Sequence, residues 1–304
     1  MTRLRWLLLL RVAVTLAALA LVARALSAEA IADALRGVRP GWVALAAAAL
    51  AAQIALSALR WQRTAGALGV PLRRGPALGE YWLAVLGNTV LPGGVLGDVG
   101  RAVRLRAQAG LGAAAETVVI ERLAGQLVLA FATALGVAAW FWPQPLGLGA
   151  GAGAGGLALL LWAALRKPRT LPGLPGRMLG RLLGRLRTAW VAAGIWRAQA
   201  GLSAAIVLCN LLGFWAAAQA VGVTLPPGAA LFVLPLTLTA MLLPVSVNGW
   251  GLREGAAALL WPLAGVAPAA AVAASVIFGL SALIAALPGV VVPLRAARAV
   301  PAPD

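Results

Sequence analysis

The sequence predicts an all-α polytopic membrane protein with about six spanning helices and two broken, re-entrant helical hairpins. Three observations carry this: the composition, the length of the apolar runs, and two apolar stretches interrupted by Pro and Gly. Of 304 residues, 62% are hydrophobic and 11% charged, whereas a globular domain has roughly 45–50% and about 25%. That balance excludes a cytosolic enzyme and a secreted disulfide scaffold. The net charge of +17 comes from 25 basic residues that fall in short clusters between apolar runs. Such clusters face an anionic membrane surface rather than nucleic acid.

A spanning helix needs about 20 apolar residues. The segments 6–26, 41–59, 116–141, 147–165, 199–221 and 267–294 meet that length, while 78–97 and 229–262 are apolar but interrupted by Leu-Pro and several Gly. The first, preceded by Arg3 and Arg5, has the outline of a signal peptide. Its length, the early Arg11 and the poor cleavage site at Ala25–Ala28 favour an uncleaved anchor. Residues 166–197 form a basic linker, and within it 177–190 places Arg177, Arg181 and Arg185 on one stripe and Leu179, Leu182, Leu183 and Leu186 on another. This is the pattern of an amphipathic helix on the inner leaflet. The whole of 1–304 reads as one integral-membrane domain.

Orientation follows the arginines. Arg60, Arg63, Arg73 and Arg74, then Arg101, Arg104 and Arg106, then the 166–187 cluster, and finally Arg295 and Arg298 mark one side. The loops 142–146 and 222–227 carry no charge, and the weakly basic 24–39 loop shares their side. The positive-inside rule puts both termini in the cytoplasm.

Leu91-Pro92-x4-Gly97-x3-Arg101 recurs as Leu243-Pro244-x4-Gly249-x3-Arg253, with all four positions shifted by 152. Each copy lies between spans, giving halves of about 41–141 and 199–294. On the arginine topology the halves are antiparallel, an inverted repeat at offset 152. The first hairpin then enters from the cytoplasm and the second from outside. Matching broken helices in inverted halves point to a transporter's substrate site. Unpaired backbone N–H groups at such breaks can receive an anion.

Charges at membrane depth are expensive and default to function. Three stretches hold them: Asn88–Arg101 with Pro92, Gly97 and Asp98; Glu121-Arg122; and Pro244–Glu254 with Ser246, Gly249, Gly251 and Arg253. Arginine suits phosphate because its planar fork donates two parallel hydrogen bonds. Arg101 and Arg253, equivalent under the repeat, would take a headgroup phosphate, with Asp98, Glu121 and Glu254 as counter-ions or proton carriers. Arg104, Arg106 and Glu116 read instead as interfacial salt-bridge formers. The run Gly147–Gly156 lacks a phosphate-loop signature and serves close helix packing. Trp residues gather near span ends as an aromatic belt. The chain has no His and a single Cys209, so neither a metal centre nor a cofactor is expected.

These residues resemble the lysylphosphatidylglycerol synthase transmembrane domain, or flippase-like domain, family. The carrying motifs are Asn88 with Leu91-Pro92-Gly93-Gly94, Gly97-Asp98 and Arg101; Glu121-Arg122; and Leu243-Pro244-x-Ser246-x-x-Gly249-x-Gly251-x-Arg253-Glu254. The resemblance implies a multi-pass protein of a prokaryotic plasma membrane that moves an anionic or modified lipid between leaflets. The aminoacyltransferase domain of the bifunctional relatives has no counterpart here, so synthase activity is not carried over. A separate lipid-modifying enzyme, the lipid substrate and anionic inner-leaflet lipids are the partners implied. Two other classes stand beside lipid translocation: a non-transporting scaffold or regulator of a lipid or glycolipid pathway, and a lipid-phosphate enzyme. Charges at depth weigh against the scaffold. The lack of His and of an acidic pair at metal-ligand spacing weighs against the enzyme.

Overall fold

The computed structural model describes residues 13–292 apart from 14, 18–19, 21–27, 92–93, 167–172, 193, 243–245 and 247–248. The described residues are helical, in the order α1 (Ala28–Leu35), α2 (Pro40–Ala67), α3 (Arg74–Val90), α4 (Leu96–Trp140), α5 (Pro145–Arg166), α6 (Gly173–Arg187), α7 (Trp196–Ala220), α8 (Pro227–Ala240), α9 (Leu252–Leu260) and α10 (Pro268–Ala286). Four segments are long and apolar enough to cross a membrane: Pro40–Ala67, Leu96–Trp140, Trp196–Ala220 and Pro268–Val290. Pro145–Leu160 and Pro227–Ala240 are shorter apolar helices. The protein is an all-α polytopic membrane protein. The expected first span at 6–26 lies mostly outside the described residues, as do Pro92, Pro244, Arg295 and Arg298.

Local chemistry sets the helix ends. Pro40, Pro227 and Pro268 open α2, α8 and α10, where proline's missing N–H costs nothing and its φ is already helical. Gly69 and Gly222, at φ 79° each, turn the chain away just past α2 and α7, a conformation that side chains with a Cβ resist.

The longest seam joins α2 to α7. The Arg39 backbone N–H donates to the Ala220 carbonyl at 3.0 Å, and Gln199 Nε2 donates to Thr64 Oγ1 at 2.9 Å. The start of each helix therefore meets the end of the other, and the two run antiparallel. Small residues allow this approach: a Cβ on Gly213 would already lie 3.0 Å from the Leu50 side chain. Two further seams are also antiparallel. Thr133 and Thr239 share a 2.8 Å hydroxyl hydrogen bond between α4 and α8, where Trp140 stacks on Phe232. On the other flank, Trp82 Nε1 of α3 donates to the Ala285 carbonyl of α10 at 2.8 Å, and Gly79, earlier in α3, faces Val292, just past the end of α10.

Three features differ from the sequence expectation. The span expected to stop at 59 continues as α2 to Ala67, carrying Arg60 inside the helix at 3% exposure; an acidic partner in the core makes that charge tolerable. The segment from 96 to 140 is helical on both sides of a kink at Gly110 (φ 76°, ψ 156°), so a helical stretch precedes the span expected to begin at 116; arginine, alanine and glutamine there are good helix formers. Finally, Leu182, Leu183 and Leu186 of α6 pack with Leu68, Ile120 and Ala189. The apolar stripe assigned to lipid is in part spent on the protein, and the side chains of Arg177 and Leu179 lie outside the described residues.

Candidate functional site

The chain breaks between α3 and α4 and again between α8 and α9. At the first break, Asn88 works as a clasp: its Oδ1 accepts the Gly97 N–H at 2.8 Å and its Nδ2 donates to Asp98 Oδ2 at 2.8 Å. Gly97 must be glycine, since a Cβ there would fall 1.8 Å from the Ala84 carbonyl oxygen. Asp98 sits in the first turn of α4, where the helix dipole favours a carboxylate.

From that clasp an ion network runs inward. Arg101 Nη2 reaches Asp98 at 2.8 Å and Glu121 Oε2 at 2.9 Å. Glu121 Oε1 accepts from Arg60 Nη2 at 2.6 Å, Arg60 Nε at 3.2 Å and the Tyr81 hydroxyl at 3.1 Å. Arg60 Nη1 ends the chain on Ser203 Oγ at 3.0 Å. Arg122 pairs with Asp98 from the other side. The Arg101 guanidinium lies against the rings of both Trp61 (4.7 Å) and Tyr81 (4.4 Å), a cation–π placement. Its Nε and Nη1 have no hydrogen-bond partner. Three arginines thus meet two carboxylates, leaving one positive charge. Arg60, Arg101 and Glu121 are buried, whereas the Arg122 side chain is 37% exposed.

The second break is built differently. Glu254 accepts from Arg253 Nη2 at 2.6 Å and from the Ser275 hydroxyl at 2.9 Å, while its other oxygen takes the Gly251 N–H at 2.7 Å. Arg253 also donates to Ser275 at 2.8 Å and lies against Trp250 and Phe278. Gly249 and Gly251 hold φ of 77° and 82°, the left-handed region that glycine enters freely. This pair is electrically neutral and buried, with Arg253 and Glu254 each 1% exposed.

A cavity of about 300 Å³ lies between the two breaks. Arg60, Glu121, Arg122 and Gly94 face it from the first, and Met241, Leu242, Ser246 and Gly249 from the second. α2 adds Gln53 and Ser57, α4 adds Gln126, and α7 adds Ile206, Val207 and Asn210. Of the residues singled out from sequence, Glu121, Arg122, Ser246 and Gly249 line the cavity. Asn88, Gly97, Asp98 and Arg101 stand behind its wall and hold it. Gly251, Arg253 and Glu254 form the separate neutral pair; they do not line the cavity. Arg104 and Glu116 form peripheral ion pairs with Glu80 (2.5 Å) and Arg185 (2.6 Å).

Residues 8–289 match the family model described as lysylphosphatidylglycerol synthase TM region. The chain belongs to that family. No curated protein matches it. Membership in the lysylphosphatidylglycerol synthase TM region family makes this a multi-pass membrane protein of lipid metabolism or translocation. It also places the buried charges in the part of the family that sits in the bilayer.

Sequence reading missed Arg60, Tyr81, Ser203, Gln53, Gln126 and Asn210. A signal existed for three of the cavity-lining groups. Gln53, Ser57 and Arg60 follow one another at helical spacing in an apolar run, a polar stripe on one face of α2.

Proposed function

We propose that the protein translocates a lipid between membrane leaflets as a flippase-like secondary transporter of an anionic or modified phospholipid or glycolipid. The observation that supports this best is the cavity's mixed lining. Arg60, Glu121 and Arg122 bring charged groups to it, and Leu238, Met241, Leu242, Ile206 and Val207 bring apolar surface. Its volume of about 300 Å³ suits a headgroup, with acyl chains left in the bilayer. Arg122 is the phosphate receiver in this reading, because it is the cavity arginine with solvent access. Asp98 and Glu121 hold the arginines when no substrate is bound.

The antiparallel seams support arranging the chain as two inverted halves, each a span, a broken hairpin and a span. Gly136 of the first half meets the Leu231 carbonyl of the second, and Gly289 of the second meets the Trp82 carbonyl of the first. The breaks then lie across a common centre from each other, as an alternating-access mechanism requires. On this reading the protein sits in the plasma membrane of a prokaryote with both termini in the cytoplasm.

The test is leaflet exchange in liposomes carrying fluorescent anionic and aminoacylated lipids, read with a membrane-impermeant quencher. Wild type is expected to expose inner-leaflet lipid, and Arg122→Gln to slow that by about tenfold or more, the cost of one charge-assisted contact. No movement of any lipid by folded wild type would overturn the proposal and favour a non-transporting scaffold.

A further inference from the structure

Helix α6 has a regular sequence. Gly176-Arg177, Gly180-Arg181 and Gly184-Arg185 recur every four residues, and 166–197 contains eight basic residues and no acidic one. Four residues is a little over one helical turn, so these arginines fall along one stripe of α6. Glycine at every fourth position makes a weak helix. Close packing does not account for Gly184, since a Cβ there would meet nothing within 4 Å. A helix this short and this weak persists only by leaning on something.

It leans on the protein. Leu182, Leu183 and Leu186 pack with Leu68 and Ile120, and Arg185 donates from Nε and Nη2 to Glu116 Oε2 at 2.6 Å each. That pair is open to solvent, its side chains 39% and 44% exposed, and pairs of this kind hold weakly. Arg181 and Arg187 are exposed and meet no carboxylate among the described residues.

The position of α6 says what faces those arginines. The helix that follows, α7, is long and apolar enough to cross the membrane and begins at Trp196. Trp196 is 53% exposed, with the Arg197 guanidinium 5.2 Å from its ring centroid, an aromatic and a cation of the sort that settle at headgroup level. Glu116 stands on α4, another such helix. With Leu182, Leu183 and Leu186 packed on the protein, α6 meets the bilayer through guanidinium groups rather than apolar ones. A planar fork that grips a carboxylate grips a phosphodiester in the same way.

We propose that α6 is a strap set by the charge of the bilayer surface. Anionic phospholipid headgroups of the surrounding leaflet compete with Glu116 for Arg185, Arg181 and Arg187 add to the pull, and α6 is released from α4. The lipids act here as a charged surface and not as cargo, so the proposal does not depend on what fills the cavity. Release has a consequence inside the protein. Ile120, which α6 covers, directly precedes Glu121, the carboxylate that holds Arg60 and Arg101.

The test follows α6 by electron paramagnetic resonance. Spin labels are placed at Thr188→Cys, just past α6, and at Gly112→Cys on α4, where an added Cβ meets nothing within 4 Å, in a Cys209→Ser background. The full-length protein is studied in nanodiscs of phosphatidylcholine with a rising fraction of phosphatidylserine. In phosphatidylcholine alone a single docked distance is expected, and a second, longer one should grow with phosphatidylserine. Arg181→Gln and Arg187→Gln are each expected to lower the released population about fivefold at a given composition, the weight of one basic residue near an anionic surface. Glu116→Gln should release α6 at a lower phosphatidylserine fraction. Phosphatidylglycerol should match phosphatidylserine at equal fractions, because only charge is read. A distance unchanged at every composition would overturn the proposal, as would arginine variants that behave like wild type. One anionic lipid acting where the other does not would mark a specific ligand instead of a surface. Polyglutamate releasing α6 in neutral nanodiscs, where anionic bilayers do not, would replace the bilayer with an acidic protein.

Discussion

Glu121 accepts hydrogen bonds from Arg60, Arg101 and Tyr81 with no exposed surface of its own. Two buried cations depend on it. Removing one partner of a buried ion pair costs about 3–5 kcal/mol because the remaining charge stays desolvated. Glu121→Ala is accordingly expected to lower unfolding free energy by that order in a detergent melt. Arg122→Gln should change it by under about 1 kcal/mol, since partly exposed pairs contribute little. Equal losses in the two variants would contradict the division between a holding network and a ligand-facing arginine. Asp98, Arg101, Glu121 and Arg122 were legible in the sequence because charges inside apolar runs stand out. Arg60 was not. It sits where an apolar run ends, the usual place for a loop arginine, and its carboxylate partner is 61 positions away.

At the scale of elements, glycines decide how closely helices approach. Pro235 lies inside α8, and its missing N–H leaves the Leu231 carbonyl without an intrahelical donor. Gly136 of α4 packs on that carbonyl, where a Cβ would come within 2.0 Å. Gly97 sits likewise on Ala84. Gly97→Ala and Gly136→Ala are each expected to cost about 1–3 kcal/mol by forcing the helices apart. Gly153 in α5 has nothing within 4 Å of an added Cβ, so Gly153→Ala should be neutral or stabilising by up to about 1 kcal/mol through helix propensity. Thermal unfolding of the three variants checks the contrast. The Leu-Pro and Gly breaks were readable because a proline followed closely by several glycines disfavours a continuous helix. The helical stretch that precedes the Gly110 kink in α4 was not, since its arginines and glycines resemble a loop until the helices around it are known.

For the molecule as a whole, the antiparallel α2–α7 seam is the testable claim. Thr64 meets Gln199 at one end, and Arg39 meets Gln219 at the other. In a Cys209→Ser background, Thr64→Cys with Gln199→Cys is expected to form a disulfide on mild oxidation. Thr64→Cys with Gln219→Cys is expected to stay reduced, because a disulfide needs Cα atoms within about 7 Å. Cross-linking in the second pair alone would mean parallel helices and no inverted arrangement.

Composition and the length of apolar runs, by themselves, determined that this chain is helical and lives in a bilayer, because continuous apolar runs of about 20 residues satisfy their backbone hydrogen bonds there as helices. The same logic exposed the two breaks and most of the buried charges. Which arginine meets which carboxylate was decided only by tertiary structure. Arg101 and Arg253 occupy matching places in the sequence, yet the first break carries a surplus charge and the second is neutral. Neither lines the cavity. That difference comes from partners contributed by distant helices, Arg60 and Tyr81 on one side and Ser275 on the other. Spacing along a chain identifies groups that need a counter-charge, but packing chooses the counter-charge.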